Sequence, residues 1–127
     1  MSNFTGTKVP GADKIAFQNR DDNLYKKEQY GYHVKEVLMK NMQSPPTLSQ
    51  LATMAGINDY KLKKGFKEMF GNSVFGYLSD LRLHSARHEL QQKKKTVSEI
   101  AFELGYSSIQ HFSAAFKKKF DISPGRV

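Results

Sequence analysis

The chain has 127 residues, 39% of them hydrophobic, with nine Phe and no Cys, and carries a net charge of +8 with a pI near 9.7. This is enough for one small domain, or two sub-domains sharing an element, and it leaves no disulfide or thiolate metal site to contribute, which suits a reducing cytoplasm. No apolar run approaches membrane-spanning length and the N-terminus lacks the apolar stretch of a secretion signal, so the excess of Lys and Arg points to a polyanionic partner: DNA, RNA or an acidic membrane.

Residues 1–22 combine glycines, a proline and scattered polar residues without a period, and read as a disordered arm or the remnant of a linker. From about Asn23 to Met42 a helical period appears, with Tyr30, Val34, Val37, Leu38 and Met42 on one face. Ser44-Pro45-Pro46 ends it, because a residue before proline avoids the helical region. Thr47 and Gln50 then form a capping box, Leu48, Leu51, Ala52 and Ala55 an apolar stripe, and Gly56 a turn. A second helix, about Asp59 to Phe70, turns Leu62, Phe66, Met69 and Phe70 to the core. Tyr60, Lys63, Lys64 and Lys67 therefore share its outer face at i, i+3, i+4 and i+7. Gly65 inside this helix costs about 1 kcal/mol relative to alanine, and the expected return is close approach of a neighbouring helix.

Gly71-Asn72-Ser73 stops that helix and caps the next, which runs from Val74 to about Gln92 with Phe75, Leu78, Leu81, Leu83, Ala86 and Leu90 as its apolar positions. Lys93-Lys94-Lys95 follows, basic residues that suit a helix C-terminus, with phosphate contact as the lesser reading. From Thr96 the pattern starts again. Thr96 and Glu99 make a capping box, Val97, Ile100, Ala101 and Leu104 a stripe, and Gly105 a turn expected to need positive φ. Ser107 and Gln110 read as a further capping box, ahead of a helix burying Phe112, Phe116 and Phe120. Its other face carries Gln110, Ser113, Ala114 and Lys117. Ser123-Pro124 looks like the cap and first residue of a final helix, so that the chain reads as truncated within it.

The second pattern is a copy of the first. Thr47, Leu48, Leu51, Ala52 and Gly56 return 49 residues later as Thr96, Val97, Ile100, Ala101 and Gly105, and Leu62, Phe66, Lys67, Phe70 and Ser73 return 50 residues later as Phe112, Phe116, Lys117, Phe120 and Ser123. The one-residue slip falls in the turn, where insertion is tolerated. Short helix, glycine turn, then a helix with a polar and basic outer face is the outline of a helix-turn-helix. The expected fold is all-α: a first unit over 23–72, a linker helix over 73–95 and a second unit over 96–127, each unit a homeodomain-like set of three helices.

Two such units on one long helix, with the pieces Phe75-Gly-Tyr-Leu-x-x-Leu-Arg-Leu83, Ile100-Ala-x-x-Leu-Gly-Tyr-x-Ser108 and His111-Phe-x-x-x-Phe-Lys-Lys-x-Phe120, resemble the AraC/XylS family of bacterial transcription regulators. The resemblance covers about Tyr32 to Val127, and Lys61 to Phe66 looks more like the iron-siderophore-responsive branch than the sugar-responsive one. It implies a transcription regulator, an activator by preference, working on double-stranded DNA in the cytoplasm (the nucleoid). RNA polymerase is the implied further partner, and the effector would bind a sensor domain that this chain does not contain.

On the residues that match the family's recognition helices, base contacts are expected from Tyr60, Lys63 and Lys64 in one groove and from Ile109, Gln110 and Ser113 in the next. Phosphate contacts are expected from Thr47, Lys61, Lys67, Thr96, Lys117 and Lys118. Ala114 departs from the long polar residue that many members carry there, which weakens hydrogen-bonded reading by the second unit.

Other chemistry finds little support. His84 and His88 are spaced i, i+4 but lack a third ligand, and Ser85 stands where H-E-x-x-H needs its glutamate. Glu99 and Glu103 have no nucleophile beside them, so neither an enzyme, a metal site nor a cofactor is expected. His111 suits DNA contact and the core edge equally. Two rival readings remain: a nonspecific basic nucleic-acid binder, which charge alone supports, and a helical protein-interaction module.

Overall fold

The structure, a computed structural model, describes the backbone from residue 12 to residue 127 and the side chains from residue 26 onward. Six helices follow one another with no strand among the described residues: α1 (Ala12–Lys40), α2 (Leu48–Ala55), α3 (Asp59–Phe70), α4 (Val74–Gln92), α5 (Val97–Glu103) and α6 (Ile109–Phe120), then a 3₁₀ turn at Pro124–Arg126. The all-α expectation holds, and α2 to α5 start and stop where caps and breakers place them.

One correction concerns the beginning. A disordered arm was expected through residue 22, whereas α1 is already helical from Ala12. No glycine or proline interrupts the chain between Gly11 and Gly31, so nothing there prevents a helix from extending backwards, even though the stretch lacks an amphipathic period. The rest of the expected arm, residues 1–11, lies outside the described residues.

Two hydrophobic cores form. The first gathers Tyr30, Val34 and Leu38 of α1, Leu51 and Ala52 of α2, Leu62 and Phe66 of α3, and Val74 and Leu78 of α4. The second gathers Leu83, Ala86 and Leu90 of α4, Ile100 and Ala101 of α5, and Phe112 and Phe116 of α6. Phe66, Phe112 and Phe116 are wholly buried; each is worth about 2–3 kcal/mol relative to an exposed ring. The helical stripes thus reach the core as their spacing requires, except at the start of α4. Phe75 was expected inside but is 42% exposed, and Val74, its neighbour, is buried instead. Ser73 caps Gly76 and starts the helix at Val74, which turns position 74 inward and rotates 75 out over Leu48, Lys63 and Lys67.

Gly65 behaves as expected. A Cβ there would overlap the Tyr30 hydroxyl and come within 2.8 Å of its Cζ, so the absence of a side chain lets α1 lie directly against α3. The same hydroxyl donates to the Lys61 carbonyl oxygen at 3.4 Å, a long bond that ties the two helices at their crossing.

Candidate nucleic-acid interface

Each unit presents its second helix by the same local devices. At α2, the Thr47 hydroxyl accepts from the Gln50 amide at 3.1 Å and the Thr47 amide donates to Gln50 Oε1 at 2.9 Å. At α5, Thr96 and Glu99 repeat the exchange at 3.0 and 2.9 Å. Both short helices are thereby closed at the end where four amides would otherwise be unpaired. The turns are also copies: Ile57 N–H donates to Ala52 O and Tyr106 N–H donates to Ala101 O, both at 3.0 Å, after Gly56 (φ +75°) and Gly105 (φ +99°).

After the turns the copies diverge by one residue. Asn58 caps α3, its side chain accepting from the Lys61 amide at 2.8 Å. In the second unit the cap is Ser108, which accepts from the His111 amide at 3.1 Å. The capping box expected between Ser107 and Gln110 does not form; Ser107 is the inserted residue. Tyr106 packs against Phe112 at 5.2 Å between ring centres, and the extra residue lies between that ring and the start of α6.

On α3, Tyr60 is 72% exposed, and Lys61, Lys63, Lys64 and Lys67 are all exposed, opposite buried Leu62, Gly65 and Phe66. Ser49 Oγ donates to Asp59 Oδ2 at 2.9 Å and pins the first turn of α3 to α2. On α6, Ile109, Gln110, His111, Ala114, Lys117 and Lys118 are exposed, whereas Ser113 is half-buried. Lys119 is committed elsewhere, to Asp80 of α4 at 3.0 Å. The expected base-facing residues therefore lie together on each helix, with Ser113 the least accessible.

The two capping threonines differ in electrostatics. Glu99 is held below the ordinary glutamate value by the Thr96 amide, then by the Thr96 side chain, so a carboxylate stands at the start of α5. Gln50 at the start of α2 is neutral. Of the Lys93–Lys95 run, Lys95 bridges Glu103 at 2.7 Å and Glu89 at 3.6 Å, and Lys93 donates to the Val127 carbonyl. Mutual pairing thus satisfies most of this run. His84 leans edge-on against Phe120 at 5.6 Å. Among the described residues no group of three or more His, Asp or Glu is placed to hold a metal ion, and no helix is long and apolar enough to cross a membrane.

Residue-by-residue reading missed the seam between the units. Arg82 Nε and Nη2 both donate to the Met42 carbonyl oxygen, at 2.9 and 2.6 Å, while its guanidinium lies 5.6 Å from the Tyr106 ring centre. Burial lowers the Arg82 pKa, with Tyr106 opposing. The Tyr106 hydroxyl is buried, and Ser79 approaches it without completing a well-shaped hydrogen bond; burial raises its pKa, and Ser79 and then Arg82 oppose that. The available signal was a single arginine between Leu81 and Leu83 on an apolar face, a position that long charged side chains take only with a partner.

Two three-helix units in tandem, each offering an exposed basic third helix, define a double helix-turn-helix domain. A helix-turn-helix domain family matches residues 51–127. The chain is 35% identical over 94 residues to the HTH-type transcriptional regulator GlxA of Rhizobium meliloti, 74% of this chain but 29% of that protein. It is 31% identical over 115 residues to the Tn10 TetD protein of Escherichia coli, covering 85% and 83%. Among solved structures, an AraC-type transcriptional regulator from Chromobacterium violaceum superposes with a TM-score of 0.73 at 28% identity, over 78% of this chain and 88% of that one. The chain belongs to the AraC/XylS family. It spans well under half the length of several curated relatives, 29% of GlxA among them.

Proposed function

We propose that the chain binds specific double-stranded DNA as the DNA-reading part of a transcription activator, with α3 and α6 entering successive major grooves from one side of the duplex. The observation that carries this is the repeated geometry: one helix, α4, holds two copies of a capped scaffold helix and an exposed basic helix. Its 19 residues span roughly 28 Å, close to the roughly 34 Å between successive major-groove faces. Base reading falls to Tyr60, Lys63 and Lys64 of α3 and to Ile109 and Gln110 of α6, with Ser113 contributing from its half-buried position.

Lys61, Lys67, Lys117 and Lys118 supply phosphate contacts. Thr47 joins them more readily than Thr96, whose neighbouring Glu99 carboxylate repels a phosphate. Lys and Tyr on α3 against Ile, Gln and Ala on α6 predict an asymmetric site, in which the element under α3 is the better defined. A regulator of this kind works in the cytoplasm, with RNA polymerase as its further partner.

Selection of bound duplexes from random-sequence DNA tests the reading. The expected outcome is two unlike elements about one helical turn apart, and inserting about 5 base pairs between them should abolish the gain from the second. A palindrome, indifference to the insertion, or flat affinity with a steep salt slope, as a nonspecific binder would give, would sink it.

A further inference from the structure

The two cores do not merge along α4. The first takes Val74 and Leu78, with Leu81 packed at its edge, and the second begins at Leu83. Between them stands Arg82, and several polar contacts from one unit to the other meet there. Arg82 grips the Met42 carbonyl in the loop that follows the first unit's leading helix and lies over Tyr106 in the second unit's turn. Beside it, Gln43 Nε2 donates to the Phe102 carbonyl oxygen at 3.3 Å.

Gly105 closes the seam. A Cβ on it would come within 2.6 Å of Arg82 Nη2, 2.7 Å of the Gln43 carbonyl oxygen and 2.8 Å of that of Met42. On the opposite edge Asp80 receives Lys119 from α6 at 3.0 Å and Asn72 from the α3–α4 turn at 3.4 Å. A helix that joins two separate cores holds their relative angle only as firmly as the contacts beside it, and a guanidinium fork in a fixed geometry adds a directional hold that a single-point ammonium does not.

We infer that Arg82 is a positioning residue: by clamping the Met42 carbonyl and the Tyr106 ring across the seam, it fixes the angular phase between α3 and α6 and so the spacing of DNA elements that one chain can read at once. This deepens the proposed DNA reading and rests on it for its functional consequence, though not for its structural one. Neither α3 nor α6 touches DNA through Arg82, so the residue governs the gain from joining two contacts rather than either contact. Rigid joining makes the second contact nearly intramolecular, and slack lowers the effective concentration of the second helix at its groove.

Two measurements on the intact chain test it. In DNA-free protein, residual dipolar couplings of the two units should fit one alignment tensor, and in Arg82→Gln should require two. In binding, the probes are the two-element duplex recovered by selection, the same duplex with spacers changed by one and two base pairs, and a duplex carrying only the first element. Arg82→Gln should bind the single element within about twofold of wild type, lose about tenfold on the joined site and show a flatter spacer profile. Arg82→Lys should fall between.

Should Arg82→Gln fail to fold, Gln43→Ala, at an exposed residue, should shift both readouts in the same direction by less. A folded Arg82→Gln with one tensor and the wild-type spacer profile overturns the inference, as do unchanged readouts in Gln43→Ala and Arg82→Lys together. One tensor in wild type without any two-element site would overturn the DNA reading and leave the clamp standing. Two tensors in wild type would overturn the clamp itself.

Discussion

The same substitution at the two equivalent turn glycines separates backbone strain from docking. Gly56 and Gly105 occupy the same place in the two copies and both have positive φ, +75° and +99°. An alanine at either must adopt a conformation that L-residues disfavour, at about 1–2 kcal/mol. At Gly56 nothing lies within 4 Å of the added carbon, so the effect should stop there. At Gly105 the carbon meets two backbone carbonyl oxygens, of Gln43 and Met42, at 2.7 and 2.8 Å. Backbone cannot swing away as a side-chain tip can, and relieving such contacts costs a further 1–3 kcal/mol or so.

Gly56→Ala should therefore lower stability by about 1 kcal/mol and Gly105→Ala by about 3 kcal/mol. For a chain of this size that is roughly 4 °C against 10 °C or more in Tm. Urea and thermal unfolding followed by circular dichroism measure both. Hydrogen exchange should show the extra loss at Gly105 along α5 and α6 as well as at the loop of residues 41–46. If the two substitutions cost the same within about 0.5 kcal/mol, the close approach of the second turn to the first unit's loop is wrong.

Other expectations are simpler. Phe112→Ala empties a wholly buried site and should cost about 3–5 kcal/mol, whereas Phe102→Ala, at a residue 70% exposed, should stay within about 0.5 kcal/mol; similar costs in denaturant titration would contradict the orientation of α5. Glu99 has its folded pKa depressed from the ordinary 4.5 by Thr96, so its contribution is present above that value and lost as pH falls through the lower folded one. Acid unfolding of Glu99→Gln should accordingly show a shallower loss of stability below about pH 4.5 than wild type, and superimposable curves would refute the capping role of the carboxylate. In DNA binding, Lys64→Ala should narrow the gap between selected and random duplexes by about 1–3 kcal/mol if it contacts a guanine. Lys117→Ala should instead weaken both about equally and reduce the salt slope by about 1; equal losses on both DNAs for the two variants would erase the distinction between reading and positioning.

What could be read from the residues was whatever the chain decides within a few positions. The Thr47–Gln50 and Thr96–Glu99 boxes, the stripes of α2, α3, α5 and α6 and the positive-φ turn at Gly105 each depend on neighbours three to eight residues apart, and each stands where its spacing put it. Errors arose where adjacent residues compete for one role. Ser107 and Ser108 are both capable caps, and the second takes the role in a turn where Tyr106 packs on Phe112. Val74 and Phe75 are both apolar, and the phase of α4 chooses the smaller. The seam was out of reach for a different reason. Arg82 and Met42 are 40 residues apart, and the one local sign, an arginine set between Leu81 and Leu83, says that a partner is needed but not which distant carbonyl supplies it. The basic face of α3 was legible because exposure there follows from the burial of Leu62 and Phe66 on the same helix.

The division of α4 between two cores bears on how the chain comes apart. Its first half is held by residues of α1, α2 and α3 and its second half by α5 and α6, so either unit can lose its packing while the other still holds part of α4. Melting one core leaves a helix whose far end remains anchored, ready to template refolding, and helix nucleation, the slow and unfavourable step, need not be repeated. Amides near the middle of α4 should consequently exchange with solvent only when both units open together, and should be the slowest in the molecule. A duplicated domain built on a shared helix is in this sense its own folding scaffold, each copy guarding the nucleus on which the other re-forms.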